Sequence, residues 1–174
     1  NGGVGVNRAT WSSGKSMYAA SSPALLVCRA AAWSDRTNSE MKITTAVQEP
    51  IEVLCVTAED GIAGAKPAFE RLERCFSSLR GRRFYGVLQH DGTYRACVAR
   101  AGGDDAEKMG LKPWVLPGGL YARTVIPNWE DHVAEIGVAF ARMAEAHAED
   151  PQRPSIEFYR SRKELILLLP IRER

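Results

Sequence analysis

The stretch PSIEFYRSRKELILLLPI, residues 154–171, decides the fold of this chain. Beta-branched and aromatic side chains at Ile156, Phe158 and Tyr159 favour a strand. The charged side chains of Arg160, Arg162 and Lys163 predict a turn, and the apolar run 165–169 predicts a second strand. Because side chains alternate along a strand, Glu157 and Tyr159 share one face of this hairpin. The pattern therefore sets a carboxylate beside a tyrosine in an otherwise buried hairpin.

Two interpretations of Glu157 are open at this point. A glutamate on a strand most often points into water. If its sheet face is covered instead, the carboxylate becomes a recognition site for a cation or a group that transfers protons. The rest of the chain bears on which interpretation holds.

Composition excludes several classes of protein. The chain has 174 residues, of which 45% are hydrophobic and 25% charged, which is typical of one globular domain or of two small repeats sharing a core. No apolar run reaches the roughly 20 residues of a membrane-spanning helix, so we expect no membrane partner. The net charge of +2 arises within residues 1–40, and the remainder is balanced. Without a basic stripe, direct nucleic-acid binding is not expected.

The cysteines and histidines show no metal-binding spacing. The four cysteines, Cys28, Cys55, Cys75 and Cys97, are far apart and form no Cys-x-x-Cys pair. We therefore expect no metal and no cofactor. Three of these cysteines lie inside apolar strand or helix patterns, and we interpret them as small apolar residues of a protein in the reducing cytoplasm.

Residues 1–40 differ from everything after them. They are rich in Ser, Ala and Gly, show no sustained period, and precede Met41, which resembles a natural start. We predict that residues 1–40 are a disordered or non-native extension. The domain then covers residues 41–174, with pseudo-repeats at 41–105 and 106–174.

The first pseudo-repeat reads as strand, helix, strand, strand. Residues 52–57 predict a strand, and Pro67 suits the first turn of a helix that extends to Leu79. Strands at 84–89 and 94–101 follow, joined by a turn whose Asp91-Gly92 pair is a strong hairpin signal.

The second pseudo-repeat repeats that order. Residues 112–125 predict a strand interrupted at 117–119, and Asn128 is placed to cap a helix, with Asp131 completing a capping-box-like arrangement. The terminal hairpin follows. Two such units predict an α+β fold with a mostly antiparallel sheet, two helices on one face and a ligand cleft between the halves.

A cleft of this kind would collect aromatic rings. We expect Glu157 at its centre and four rings around it, namely Tyr85, Trp114, Tyr121 and Tyr159. An aromatic pocket with one acid suits a lipophilic cation.

Three short stretches carry a resemblance to a known family. They are FYGV at 84–87, LPGGLYA at 116–122, and IEFY at 156–159 followed by LLPI at 168–171. In this order the chain from about Met41 to Arg172 resembles the GyrI-like small-molecule-binding domains, related to DNA gyrase inhibitory protein and to effector domains of multidrug-responsive regulators. The resemblance implies a duplicated fold in which a buried glutamate, matched here by Glu157, faces aromatic side chains and hydrophobic, often cationic, ligands.

The sequence leaves three functions open. The first is a stand-alone cytoplasmic domain that binds lipophilic cations or aromatic molecules as a sensor or sink, with a separate regulator protein as a possible partner. The second is a hydrolase of cyclopropane-type genotoxins, as some family members are, with Glu157 as general acid or base and Tyr121 assisting. The third, an inhibitor of a DNA-handling enzyme, is disfavoured by the neutral body of the chain.

Overall fold

The structure, a computed structural model, describes residues 41–172. In chain order its elements are β1 (Thr44–Gln48), β2 (Ile51–Thr57), α1 (Ala65–Arg74), β3 (Phe84–Leu88), β4 (Tyr94–Ala99), β5 (Lys112–Leu116), β6 (Gly119–Pro127), α2 (Val133–Ala146), β7 (Ser155–Ser161) and β8 (Glu164–Pro170). Short 3-10 helices, Gly61–Gly64 and Trp129–Asp131, precede α1 and α2. The predicted extension at 1–40 lies outside the described residues.

The predicted α+β class is confirmed. Over residues 41–172 the strands form one antiparallel sheet of eight, in the order β1-β6-β8-β7-β3-β4-β2-β5, curled into a half barrel. The units β2-α1-β3-β4 and β6-α2-β7-β8 reproduce the order strand, helix, strand, strand. They meet where β7 pairs with β3, so the two hairpins lie at the middle of the sheet.

Each half also exchanges an edge strand with the other half. Strand β1 pairs with β6, and β5 pairs with β2. The strand predicted at 112–125 is therefore two strands that lie in opposite halves of the sheet. Strand β1 was not predicted, because its partner is distant in sequence and TTAVQ carries only a weak apolar signal.

The connections between exchanged strands pass close to each other. A Cβ atom on Gly118, between β5 and β6, would lie 2.5 Å from the carbonyl oxygen of Gln48 and 2.8 Å from the ring of Pro50. Glycine is required because the β1–β2 and β5–β6 connections touch here. Because β1 and β5 are the two edge strands, this contact joins connections that start at opposite ends of the sheet.

The sheet has an apolar layer on each face. On one face α1 packs on β2 and β4, and α2 packs on β6 and β8, around side chains that include Phe69, Leu72, Met143 and Leu167. On the other face a second cluster is buried without a helix among the described residues, and it includes Val53, Val87, Leu116, Ile156 and Leu168. The curled sheet covers this second cluster with its own strands.

The predicted helix limits were wrong in two places. Helix α1 ends at Arg74 rather than Leu79, and in the segment that follows Arg82 lies over the ring of Phe76 at 3.9 Å. Asn128 does not cap α2, which begins at Val133. The backbone of Asn128 is left-handed (φ 48°), and its side chain makes no capping hydrogen bond. The capping box predicted with Asp131 is therefore absent. The bend instead directs Trp129 into the core.

Candidate functional site

The strand pattern buries Glu157 at the middle of the sheet. It lies on β7, directly opposite Gly86 of β3 and Leu167 of β8. Only 7% of its surface is exposed, in a layer otherwise built of apolar side chains. Water therefore reaches little of this carboxylate, and the first interpretation, a glutamate pointing into solvent, is wrong.

Two tyrosine hydroxyls hold the carboxylate. The hydroxyl of Tyr159 donates to Oε2 of Glu157 at 2.6 Å, and the hydroxyl of Tyr94 donates to the same oxygen at 2.8 Å. Tyr159 lies two residues along the same strand, so both side chains leave the sheet on one face. Tyr94 comes from β4, which is separated from β7 by β3 alone.

Rings from both halves surround this pair of hydroxyls. The ring of Tyr159 meets Phe69 of α1 edge to face at a centroid distance of 5.3 Å. It meets Trp129, in the 3-10 helix before α2, at 5.0 Å. The indole of Trp129 donates to the carbonyl oxygen of Ser161 at 3.0 Å. The carboxylate thus lies between the sheet and segments contributed by each repeat.

The absent side chain of Gly86 makes room for these groups. A Cβ atom there would overlap the Tyr94 hydroxyl and lie against Oε2 of Glu157. Glycine in a central strand usually marks such a close approach. Because Gly86 faces Glu157 across the β3–β7 pairing, the tyrosine crosses over the glycine to reach the carboxylate.

The electrostatics of the site favour the neutral acid. Burial raises the pKa of Glu157, and the hydrogen bonds from Tyr159 and Tyr94 lower it only in part. Within residues 41–172 no basic side chain pairs with this carboxylate. A buried carboxyl held only by neutral donors can either keep a proton or accept a cation.

Three of the predicted rings lie elsewhere. Tyr85, Trp114 and Tyr121 belong to the cluster on the other sheet face, away from α1 and α2. These three rings therefore do not surround Glu157 as expected, and the catalytic role proposed for Tyr121 stays a prediction. Register decides the outcome, because Gly86 pairs with Glu157 and Tyr85 pairs with the next residue, Phe158.

The displaced rings have partners of their own. Tyr85 stacks on Phe158 with centroids 4.9 Å apart, and burial raises the pKa of its hydroxyl. Arg95 lies 5.0 Å from the ring of Trp114. The guanidinium carbon of Arg153 lies 4.9 Å from the ring centre of Tyr121. The hydroxyl of Tyr121 donates to the carbonyl oxygen of Pro117 at 3.1 Å.

Sequence reasoning missed Gly86 and Tyr94 as site residues. The glycine inside the apolar run of β3 was a usable signal. Tyr94 could be found only by aligning three strands, which needs the pairing register. Among the described residues no group of His, Cys, Asp and Glu could hold a metal ion, and none of their helices is long and apolar enough to cross a membrane.

Comparisons with known proteins support the fold. No family model and no curated protein matches the sequence. Among solved structures, an integron cassette protein, VCH_CASS2, from the mobile metagenome of Vibrio cholerae is similar at a TM-score of 0.56 and 13% identity, over 75% of this chain and 95% of that chain. SAV2435, solved with bound tetraphenylphosphonium, is similar at 0.51 and 14%, over 76% and 94%. A candidate transcription regulation protein from Staphylococcus aureus MU50 is similar at 0.52 and 13%, over 76% and 99%.

Proposed function

We propose that this chain is a GyrI-like domain that binds small lipophilic cations, with Glu157 as their counter-ion. The observation that carries the proposal is a carboxylate 7% exposed, held by two tyrosine hydroxyls and paired with no basic side chain of residues 41–172. In this role the domain serves as a sensor for a partner regulator protein or as a sink for toxic molecules.

The charge of the site favours a cation over a neutral ligand. A carboxylate shielded from water is unstable in its charged form, and no basic side chain of residues 41–172 offsets it. A bound cation would restore the charge of Glu157 and gain its attraction. The rings of Tyr159, Phe69 and Trp129 add apolar surface, and their faces attract cations directly.

The shared fold also supports this class of ligand. SAV2435 was solved with tetraphenylphosphonium, a lipophilic cation with four aromatic rings. At 14% identity the likeness extends to the fold, so the ligand class comes to this chain as part of the proposal. Phe69 and Trp129 are almost fully buried, and a ligand of this size would displace at least one of these rings to reach Glu157.

Two ligands of the same shape and opposite charge test the proposal. Tetraphenylphosphonium and tetraphenylborate are titrated by calorimetry into the parent, Glu157→Gln and Glu52→Gln. The last is a matched control, because Glu52 is an exposed carboxylate on β2. We expect the cation to bind the parent and the control alike and to bind Glu157→Gln roughly 30- to 150-fold more weakly. That loss corresponds to an attraction of about 2–3 kcal/mol between two opposite unit charges about 5.5–8 Å apart at an effective dielectric constant near 20.

The outcomes separate charge recognition from nonspecific apolar binding. Equal affinity of Glu157→Gln for the cation, or equal affinity of the parent for both ions, would contradict the proposal. Binding should also weaken as the pH falls through the raised pKa of Glu157, since the protonated acid no longer attracts a cation.

The hydrolase alternative uses the same residues. A carboxyl with a raised pKa beside two tyrosine hydroxyls can donate a proton to a strained ring or accept one from water. Loss of many equivalents of a cyclopropane-type alkylating agent, abolished in Glu157→Gln, would identify an enzyme. Consumption limited to one equivalent would leave the binding function.

A further inference from the structure

Two cysteines face each other on the sheet surface away from α1 and α2. Cys55 of β2 lies directly opposite Cys97 of β4, and their sulfur atoms are 2.8 Å apart. Both are buried, at 5% and 0% exposure. Their environment is apolar, with Tyr85, Val53 and Val87 in the same cluster. Neither sulfur is therefore positioned to meet a large reagent.

The strand pairing fixes which kind of cross-strand pair this is. The amide of Ala58 donates to the carbonyl of Tyr94 at 2.9 Å, and the amide of Arg100 donates to the carbonyl of Glu52 at 2.9 Å. Hydrogen-bonded and non-hydrogen-bonded pairs alternate along an antiparallel ladder, so the pair between Cys55 and Cys97 is of the non-hydrogen-bonded kind.

This kind of pair brings side chains closest together. Its Cα atoms lie about 4.5 Å apart, at the short end of the range of roughly 4.4–6.8 Å that a disulfide spans. A bond can therefore form without moving β2 relative to β4. Thiol–disulfide exchange opens such a bond again, so its formation is reversible.

We propose that Cys55 and Cys97 are a reversible redox pair that closes to a disulfide under hydrogen peroxide. Peroxide transfers one oxygen atom to the thiol of Cys55, which becomes a sulfenic acid, and one water leaves. The thiol of Cys97 then attacks that sulfur, the S–S bond forms, and the sulfenic oxygen leaves as a second water. Two thiols lose two electrons and two protons to one peroxide, which yields two waters.

The geometry assigns the order of the two steps. Cys55 is the more exposed residue of the two and reacts first, whereas burial raises the pKa of the Cys97 thiol. Peroxide is a small oxidant, and Cys55 lies on β2, next to the edge strand β5 and nearer the sheet edge than Cys97 on β4. Once the sulfenic acid exists, its partner is already in contact, so ring closure is fast.

Cys75 provides an internal comparison. It lies just after α1, is partly exposed, and its thiol donates to backbone carbonyls of Arg71 and Met109. No cysteine of residues 41–172 faces it. Peroxide should therefore drive Cys75 to single-residue oxidation rather than to a disulfide with Cys55 or Cys97.

The experiment follows the cysteines of the full chain by mass spectrometry. The native protein is treated with low-millimolar hydrogen peroxide, quenched, unfolded in alkylating reagent and digested. We expect a cross-linked peptide pair containing Cys55 and Cys97, two hydrogens lighter than the two thiol peptides, which dithiothreitol restores to thiols. Cys75→Ser should form the same cross-link, and Cys97→Ser should instead leave Cys55 as sulfenic or higher acids.

Other results would overturn the proposal. Both thiols remaining alkylatable after Cys75 has been fully oxidised would show that the pair is inert. Cross-links that join Cys55 or Cys97 mainly to Cys28 or Cys75 would show that the pairing arises from unfolded chains. The parent protein alone decides between these results, so the proposal stays testable even if Cys97→Ser does not fold.

Discussion

Replacing Gly86 by alanine should disrupt the carboxylate site from the opposite strand. The added methyl would occupy the place of the Tyr94 hydroxyl and press on Oε2 of Glu157. Overpacking of this kind costs about 1–3 kcal/mol, and a lost hydrogen bond to a charged group costs about 1.5–3 kcal/mol. The greater rigidity of alanine in the unfolded chain offsets roughly 0.5–1 kcal/mol. These terms sum to an expected net loss of about 1.5–5.5 kcal/mol in the free energy of unfolding.

A second substitution shows whether that loss arises at the hydroxyl. Tyr94→Phe removes the oxygen that the new methyl would strike, at a cost of about 1.5–3 kcal/mol for the hydrogen bond at 2.8 Å. If both changes act on the same contact, the double variant should be about 1–2 kcal/mol more stable than the sum of the single losses predicts.

Urea unfolding followed by tryptophan fluorescence measures all three variants, and an unchanged denaturant slope shows that the same transition is compared. Gly137→Ala is the matched control, because a Cβ atom there meets nothing within 4 Å on the exposed side of α2. This control should gain roughly 0.8–1 kcal/mol from helix propensity. A harmless Gly86→Ala, or losses that add within about 0.5 kcal/mol in the double variant, would refute the geometry described for the site.

Three further predictions concern charge and redox state. Burial holds the pKa of Glu157 above its value in the unfolded chain, so the charged carboxylate destabilises the folded protein at pH values above both pKa values. Glu157→Gln should therefore unfold at a higher urea concentration than the parent at pH 7. This difference should disappear below pH 4.5. The guanidinium of Arg82 donates to both oxygens of Asp104 and lowers the pKa of this carboxyl to about 2. The parent should therefore lose about 2 kcal/mol of stability as the pH falls from about 5 to 2. Asp104→Asn should lack that loss in acid unfolding. Joining Cys55 to Cys97, 42 positions apart, should raise the free energy of unfolding of the oxidised form by up to about 4 kcal/mol. The measurement is its urea midpoint, which should rise, and an unchanged midpoint would contradict this.

The sequence predicted those parts of the site that depend on one strand or one turn. The hairpin between β3 and β4 follows from Asp91-Gly92, and Gly92 has the positive φ of 84° that such a turn requires. The shared face of Glu157 and Tyr159 follows from the period of a strand. Both features depend only on residues close together in the sequence, so they do not change with the tertiary arrangement of the rest of the chain.

The sequence also carried the duplicated order of elements, because apolar periods change at each boundary. It did not reveal that β1 and β5 exchange between the halves. That exchange brings Gly118 against the connection at Gln48 and Pro50, so it joins segments far apart along the chain. No local pattern encodes such a contact.

Only the tertiary structure decided which rings surround Glu157. An alternating pattern shows that Tyr85 and Gly86 face opposite ways, but it does not say which of them lies across from the carboxylate. Pairing of Gly86 with Glu157 brings Tyr94 to the site and sends Tyr85 to the other face. A shift of one residue in register would exchange the two faces, and the energy that selects the register comes from packing across the whole sheet.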